Sequence, residues 1–201
     1  MNVLLISGSR NPGGQTARAA EGLLVGVKEK NFEVERVFLP ALDIRCCRQC
    51  NEDGWGDCSA KGACVIDDDF ASVVTRLRRA DCLVLATPVY YHEMSETMRA
   101  FTDRLRRTVN HPDGKVGVRG TPAIIVSVAG GGGGGAPQCC VGLQRVCEGC
   151  ELAVLDTIPV RRQNLEAKMA QLRHAGAWLA AVAEEMARAK ADPAAAQPRG
   201  R

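Results

Sequence analysis

The chain has 201 residues, of which 46% are hydrophobic and 24% are charged, a length and composition typical of one globular domain with a sizeable core. Its formal net charge of +3 is too small to indicate a nucleic-acid-binding protein, and we interpret the arginines at 76–79 and 104–107 as solvated helix faces. The opening MNVLLISGSR lacks the basic region of a signal peptide, and no apolar run approaches the roughly 18 residues of a membrane span. We therefore expect a cytoplasmic protein that binds neither nucleic acid nor membrane.

Strands and helices are predicted to alternate along the chain. Apolar or alternating runs bounded by turn-forming and charged residues predict five β-strands, at residues 2–7, 33–38, 82–87, 121–128 and 152–157. Apolar residues at helical spacing predict five helices, at residues 15–30, 67–79, 95–108, 137–149 and 163–188. This alternation is typical of a doubly wound α/β fold, with a parallel sheet and helices on both faces. We predict one domain over residues 1–188, followed by a flexible tail over 189–201.

The longest break in this pattern lies between residues 40 and 66, where cysteine, glycine and charged residues follow no clear period. An irregular segment of this length in a compact domain is usually functional. Asp67, Asp68 and Asp69 come directly after it and favour the start of the next helix, because carboxylates stabilise a helix N-terminus. Ser95 is predicted to cap the helix that follows, with Met98 at its third position.

The loop after the first strand, GSRNPGGQT at residues 8–16, has the chemistry of a phosphate site. Its glycines allow a close backbone approach, its hydroxyl side chains can donate hydrogen bonds, and the helix that follows presents unpaired N–H groups. The segment matches neither the dinucleotide pattern G-x-G-x-x-G nor the Walker pattern G-x-x-x-x-G-K-[ST]. By itself it is also compatible with an ordinary strand–helix loop.

Two further loops follow strands of the predicted sheet. The segment TPVYYHEMS at 87–95 brings aromatic and apolar side chains that suit a flat ring, and the six glycines at 130–135 leave room for one. Ligands of a doubly wound sheet bind beyond the carboxyl ends of its strands, so all three loops can contact one ligand. A phosphate loop, an aromatic loop and a glycine loop together indicate an FMN site.

With these motifs the sequence resembles the iron–sulfur flavoproteins, a group within the NAD(P)H-dependent FMN reductase family of flavodoxin-like proteins. The resemblance extends over residues 1–160 and rests on the segments SGSRNPGGQT, CVIDDDF, ADCLVLATPVYYHEMSETMRAFTDR and SVAGGGGGGAPQ. It implies a flavodoxin-like five-stranded parallel sheet in the order 2-1-3-4-5 with an inserted cysteine-rich loop. It also implies a homodimer or homotetramer, by analogy alone.

The resemblance assigns roles to residues of the three loops. It implies that the phosphate of FMN is held by Ser9, Arg10, Gln15 and Thr16. It implies that one side of the isoalloxazine ring contacts Pro88, Val89, Tyr90 and Tyr91, and the other side Ala129, Gly130 and Gly131. No side chain is expected to be catalytic, because the flavin carries the chemistry.

Four of the ten cysteines, spaced Cys47-x2-Cys50-x7-Cys58-x5-Cys64, lie in the irregular loop at 46–64. Four thiolates with a C-x-x-C pair are typical ligands of iron–sulfur clusters. The similar flavoproteins carry a four-cysteine motif directly before an I-D-D-D segment, which implies a 4Fe–4S cluster bound by these four residues. The gap from Cys50 to Cys58 is longer than in those proteins, but an insertion bracketed by glycines can bulge outward without moving the flanking ligands.

Other interpretations of the cysteines stay open. Zinc also takes four thiolates, the Cys47–Cys50 pair could cycle as a dithiol, and Cys46 could replace Cys47. Cys82 is expected to be a buried small hydrophobic residue. The remaining cysteines are predicted either to pack in the core or to form a second metal site, and they are Cys139, Cys140, Cys147 and Cys150.

The expected function is that of an FMN-dependent oxidoreductase of the iron–sulfur flavoprotein type. Its electrons would come from NAD(P)H or a ferredoxin-like donor, pass through the 4Fe–4S cluster and FMN, and leave to a small-molecule acceptor such as a quinone. One alternative is a non-enzymatic, flavodoxin-like electron carrier. Another is an NAD(P)H-dependent flavin or quinone reductase whose cysteine loop binds zinc or nothing, and a third is a zinc-bearing regulatory protein.

Overall fold

Five parallel strands form the central sheet in the computed structural model, which describes residues 1–191. Together with a short sixth strand, β4, the strands in chain order are β1 (Asn2–Ser7), β2 (Glu33–Phe38), β3 (Cys82–Tyr90), β4 (Glu93–Met94), β5 (Pro122–Ala129) and β6 (Ala153–Arg161). The parallel strands lie in the order β2-β1-β3-β5-β6, and the two-residue β4 pairs antiparallel with the end of β3. When only the parallel strands are counted, this is the predicted order 2-1-3-4-5, and the doubly wound fold is confirmed.

Seven helices connect these strands over the described part of the chain. They are α1 (Gln15–Lys28), α2 (Asp57–Lys61), α3 (Phe70–Arg79), α4 (Glu96–Thr108), α5 (Pro112–Lys115), α6 (Ala136–Gly149) and α7 (Leu165–Ala191). Within residues 1–191, no helix combines the length and the apolar character that crossing a membrane requires. Because α7 continues to Ala191, the tail does not begin at residue 189, and the rest of the predicted tail, 192–201, lies outside the described residues.

Side chains of the central strands alternate between two hydrophobic clusters, one on each face of the sheet. From β1, Leu4 and Ile6 pack with residues of α3, α4 and α6, whereas Val3 and Leu5 pack with residues of α1 and α7. Both faces of the sheet are therefore covered, which explains why the central strands are apolar at nearly every position.

Helices α1 and α7 approach each other at backbone distance. A Cβ atom at Gly26 would lie 1.8 Å from the carbonyl oxygen of Arg173, and one at Gly176 would lie 1.9 Å from that of Leu23. Only glycine fits at these two positions, and the contact fixes the helix that follows the GSRNPGGQT loop.

Strand β3 extends three residues beyond its predicted end because it forms a hairpin with β4. Val89 pairs with Met94 and Tyr90 with Glu93, which leaves Tyr91 and His92 as a two-residue turn. Both turn residues have positive φ angles, 49° and 70°. Turns of this kind favour Asn-Gly, and bulky residues are strained in them. The apolar pattern could not show this hairpin, because its strand pairing depends on the turn.

A buried ion pair joins α4 to the segment before α3. Nη1 and Nη2 of Arg104 donate to the two carboxylate oxygens of Asp68 at 2.6 and 2.9 Å, and neither side chain is more than 1% exposed. Asp68 also accepts from the backbone N–H of Phe70. Helix α3 begins at Phe70, so the predicted start at residue 67 was wrong, and the N-cap residue Asp69 makes no side-chain cap. The expected contact between an aspartate and the helix start is present all the same, because Asp68 accepts from the first helical N–H while it pairs with Arg104.

Asp68 is held in its charged form. Burial pushes the pKa of its carboxyl group upward, but hydrogen bonds from Arg104 and from the backbone N–H groups of Arg45 and Phe70 outweigh that effect and hold the pKa below its usual range. The arginine is therefore paired with a carboxylate and not with a carboxylic acid.

We expect Asp68→Asn to lower the free energy of unfolding by about 3 kcal/mol, because it leaves the buried Arg104 guanidinium without its countercharge. Asp67→Asn is the matched control, since Asp67 is exposed and carries the same charge one residue earlier. Urea unfolding followed by circular dichroism measures both values. A loss below about 0.5 kcal/mol in the Asp68 variant would show that the pair does not anchor this segment.

Candidate functional site

A cavity of about 430 Å³ opens at the carboxyl ends of the central strands, where the three loops identified in the sequence meet. Its lining consists of Gln15, Thr16, Pro88, Val89, Tyr90, Val128, Ala129, Gly130, Gly131, Gly132, Gly133 and Gly134. The structure thus brings together all the residues proposed to contact a cofactor except Ser9, Arg10 and Tyr91. No charged side chain is among the residues that line the cavity, which suits a neutral ring.

Helix α1 begins at this cavity with its first N–H groups uncapped. Gly14 is its N-cap residue, no side chain accepts a hydrogen bond there, and the first turn contains no acidic residue. Helix α4 differs, because the Ser95 hydroxyl accepts from the N–H of Met98 at 3.4 Å, which confirms the predicted cap. An uncapped helix N-terminus offers N–H donors and a positive dipole end to an anion such as a phosphate.

Asn11 organises the loop before α1, a role that the sequence reasoning missed. Its side-chain oxygen accepts from the N–H of Gly13 at 2.9 Å, and its carbonyl oxygen accepts from the Ser9 hydroxyl at 3.3 Å. The run Asn-Pro-Gly-Gly was the sequence signal for this role, because an asparagine side chain readily forms a hydrogen bond with the backbone N–H two residues later. Ser9 is buried within the loop and Arg10 is exposed. Neither residue lines the cavity.

The hairpin turn and the glycine run pack against each other beside the cavity. Gly135 has φ +84°, and a Cβ atom there would lie 2.7 Å from the Cα atom of His92. The last glycine of the run therefore lets the turn approach closely. Tyr90 lines the cavity and is 48% exposed, whereas the Tyr91 side chain is fully exposed and does not line it.

The four cysteines of the spaced motif line a second pocket, between the irregular loop and α4. The other residues that line it are Arg48, Gly54, Asp57, Val65, Ile66, Arg104 and Arg107. Cys46 is exposed and outside this lining, so the pocket contains Cys47 rather than its neighbour. Within residues 1–191, no three His, Cys, Asp or Glu side chains are arranged to hold a single metal ion.

The segment between Cys50 and Cys58 lies against this second pocket and does not bulge outward there, since Gly54 and Asp57 line the pocket. Nη1 of Arg107 donates to the carbonyl oxygen of Gly54 at 2.7 Å. The guanidinium carbon of the same residue lies 4.8 Å from the centroid of the Trp55 ring, a cation–π contact. One hydrogen bond and one stacking contact therefore hold the insertion inward.

The two arginines of this pocket each carry an unsatisfied donor. In the described part of the chain, two buried side-chain nitrogen or oxygen atoms have no hydrogen-bond partner, and they are Nε of Arg104 and Nε of Arg107. Leaving a buried donor unpaired costs about 1–3 kcal/mol, and more for a charged group. Both atoms belong to residues that line the cysteine pocket, which indicates a pocket suited to an acceptor of negative charge.

The prediction that the arginines at 104–107 form a solvated helix face was wrong for two of the three. Arg104 is buried, Arg107 is half-buried, and Arg106 alone is exposed. Helical periodicity marks charged residues as solvent-facing, and it contains no signal for a partner such as Asp68, which lies far away in the sequence. The arginines at 76–79 are exposed, as predicted.

The other cysteines, apart from Cys46, are buried in the core, as the packing alternative predicted. Burial raises the pKa of Cys82 to about 12, that of Cys139 to about 11 and that of Cys150 to about 12. Burial raises the pKa values of Cys140 and Cys147 as well. These residues are therefore neutral thiols that pack as small hydrophobic side chains.

Comparison with known proteins identifies the family. The model of the NADPH-dependent FMN reductase family matches residues 1–141. The chain is 32% identical over 119 residues to an iron–sulfur flavoprotein of Archaeoglobus fulgidus, a match that covers 58% of this chain and 52% of that protein. It is also 32% identical over 120 residues to an iron–sulfur flavoprotein of Methanosarcina thermophila, covering 58% and 60%.

The matched part therefore spans only about half to three fifths of each of these relatives. The fold is similar to that of a flavodoxin from the domain Archaea, with a TM-score of 0.60 and 14% identity over 92% of this chain and 99% of that one. The family match covers more than half of the chain and coincides with a flavodoxin-like sheet, and the chain belongs to the NADPH-dependent FMN reductase family.

Proposed function

We propose that this protein is an FMN-dependent oxidoreductase of the iron–sulfur flavoprotein type, with FMN in the 430 Å³ cavity and a 4Fe–4S cluster in the cysteine pocket. The observation that carries the proposal is the convergence of four spaced cysteines and two unpaired arginine donors on one pocket. FMN converts hydride transfer into single-electron transfer, and a cluster carries one electron at a time. The electron donor would be NAD(P)H or a ferredoxin-like protein, and the acceptor a small molecule such as a quinone.

The cavity residues would bind FMN through backbone N–H groups and through the fit of the cavity to the flavin ring. The N–H groups at the start of α1 and the Thr16 hydroxyl would hold the phosphate, since the lining contains no cationic side chain. Pro88 and Val89 would contact one side of the ring and the glycine run the other, and together they would exclude water from it. Tyr90, half exposed at the edge of the cavity, would border the place where substrate enters.

We favour a cluster over a single zinc ion in the cysteine pocket, because the two relatives compared above are iron–sulfur flavoproteins. A cluster of four irons spreads its thiolate ligands over a larger volume and carries net negative charge. Arg48, Arg104 and Arg107 would offset that charge.

A homodimer or homotetramer stays a prediction. The fully exposed Tyr91 at the edge of the cavity is one apolar surface that a second subunit would cover.

The metal content of cysteine variants tests the cluster. Cys58→Ser should lose most of its iron and acid-labile sulfide after anaerobic purification, and it should keep its FMN, because Cys58 lines only the cysteine pocket. Cys46→Ser is the matched control and should retain both, since Cys46 lies outside the pocket. Zinc in place of iron in the unchanged protein, or equal iron in both variants, would contradict the assignment.

The affinity for FMN tests the phosphate site. Thr16→Glu should weaken FMN binding at least 10-fold more than Thr16→Gln, about 1.4 kcal/mol or more, because it places a negative charge where the phosphate is proposed to bind. The glutamine variant has nearly the same size, so the comparison isolates charge from bulk. Flavin fluorescence during titration of the apoprotein gives both dissociation constants. Equal dissociation constants for the two variants would show that this loop does not bind the phosphate of FMN.

Steady-state turnover separates an enzyme from a carrier. We expect the holoprotein to oxidise NADH or NADPH continuously in the presence of a quinone, measured by the loss of nicotinamide absorbance under anaerobic conditions. Reduced ferredoxin is the comparison donor. Failure with both nicotinamides, together with rapid reduction by ferredoxin, would indicate an electron carrier instead.

A further inference from the structure

Arg107 makes two contacts through its guanidinium group and has one buried donor without a partner. Nη1 donates to the carbonyl oxygen of Gly54, the plane of the group stacks on Trp55, and Nε is buried without a partner. A planar guanidinium can make both contacts at once, whereas a lysine ammonium has no plane to stack and no fixed donor directions. This arginine therefore holds the insertion by two contacts, and it lines the cysteine pocket with one donor unpaired.

Arg104 presents a second donor of the same kind from one turn earlier on α4. Its two Nη atoms are used by Asp68 and by the carbonyl oxygen of Arg45. The Phe70 ring lies 4.2 Å from its guanidinium carbon, so the orientation of the group is fixed. The remaining donor, Nε, has no partner among the described residues. Two fixed cationic donors thus belong to the lining of one pocket.

We propose that Arg107 is a positioning residue for the cluster, which closes residues 51–57 over the cysteine pocket and donates its Nε–H, together with that of Arg104, to cluster sulfur. This inference rests on the proposed cluster. Its basis in this chain is the long Cys50–Cys58 insertion, which supplies both contacts that hold Arg107. The insertion is then a cover for the pocket.

The consequence concerns the reduction potential of the cluster. Reduction adds an electron to a group that is already negative, so donors and positive charge beside the sulfurs stabilise the reduced form and raise the potential. A closed cover also limits the access of water and oxygen to the cluster. Loss of Arg107 should therefore lower the potential and shorten the lifetime of the cluster in air.

The test compares Arg107→Gln with Arg106→Gln in anaerobically purified holoprotein. Arg106 is the matched control, because it lies next to Arg107 on α4, is exposed, and contacts Asp103 rather than the pocket. Redox titration followed by electron paramagnetic resonance gives the cluster potential, and the visible flavin spectrum gives the flavin potential. We expect a more negative cluster potential, an unchanged flavin potential and a several-fold faster loss of iron in air for Arg107→Gln alone.

Two further variants separate charge from geometry. Arg107→Lys keeps the positive charge but loses the stacking and the fixed Nε–H. Its cluster potential should therefore lie between those of Arg107→Gln and the unchanged protein, and its loss of iron in air should be nearly as fast as in Arg107→Gln. Trp55→Ala removes the cover and should mainly speed the loss of iron. Circular dichroism establishes that each variant is folded, and a folded Arg107→Gln protein without iron, beside a fully loaded Arg106→Gln protein, would also support the positioning role.

The outcomes distinguish this inference from the proposed function. If the unchanged protein holds iron and sulfide but Arg107→Gln and Arg106→Gln have the same cluster potential and the same lifetime in air, the role of Arg107 is overturned and the cluster stands. If the unchanged protein holds no iron, the cluster itself is wrong, and the inference fails with it.

Discussion

The placement of the cysteine loop depends on the buried ion pair between Arg104 and Asp68. Besides the carboxylate, the guanidinium binds the carbonyl oxygens of Arg45 and Ile66, which lie just outside the two ends of the four-cysteine segment. Asp68 in turn accepts from the N–H of Arg45. One charged pair therefore closes the base of an irregular loop about twenty residues long, a closure that has a considerable entropic cost. Two hydrogen bonds between Asp43 and Asp69, outside the same two ends, add to this closure.

Helix α4 carries this anchor, and its start is hydrogen-bonded to a strand that lines the 430 Å³ cavity. Ser95 caps the helix, and its backbone N–H donates to the hydroxyl of Thr87, the residue of β3 directly before the cavity-lining Pro88. Arg104 follows nine residues later, about 14 Å along the helix axis. One helix therefore connects the strand that lines the cavity with the arginines of the cysteine pocket, and a helix is a more rigid connection than a loop.

The parallel strands and the meeting of the three loops could be predicted from the sequence, because a sheet buried on both faces leaves an apolar signal along its central strands. The order of the strands followed from the resemblance to flavodoxin-like proteins. What could not be predicted depends on contacts between distant residues. The end of β3 is determined by its pairing with Met94, and the burial of Arg104 depends on a carboxylate 36 residues away. The inward position of Trp55 depends on one side chain of α4. Hydrophobic periodicity predicts which side of a segment is exposed to solvent. It does not predict which distant residue contacts a side chain that is buried instead.

Each of the two proposed sites would bind an anionic group, but the donors that stabilise the negative charge differ between them. FMN phosphate is an anion, and the cavity provides no cationic side chain but borders the uncapped start of the fourteen-residue helix α1. The cysteine pocket would also hold an anionic group, yet its own helix, α2, has only five residues and provides little dipole. Arginines from α4 therefore take the place of backbone N–H groups at that site. The distribution of charge between the sites follows from which elements the fold makes available, and it explains why the unsatisfied guanidinium donors occur at the cysteines and not at the flavin.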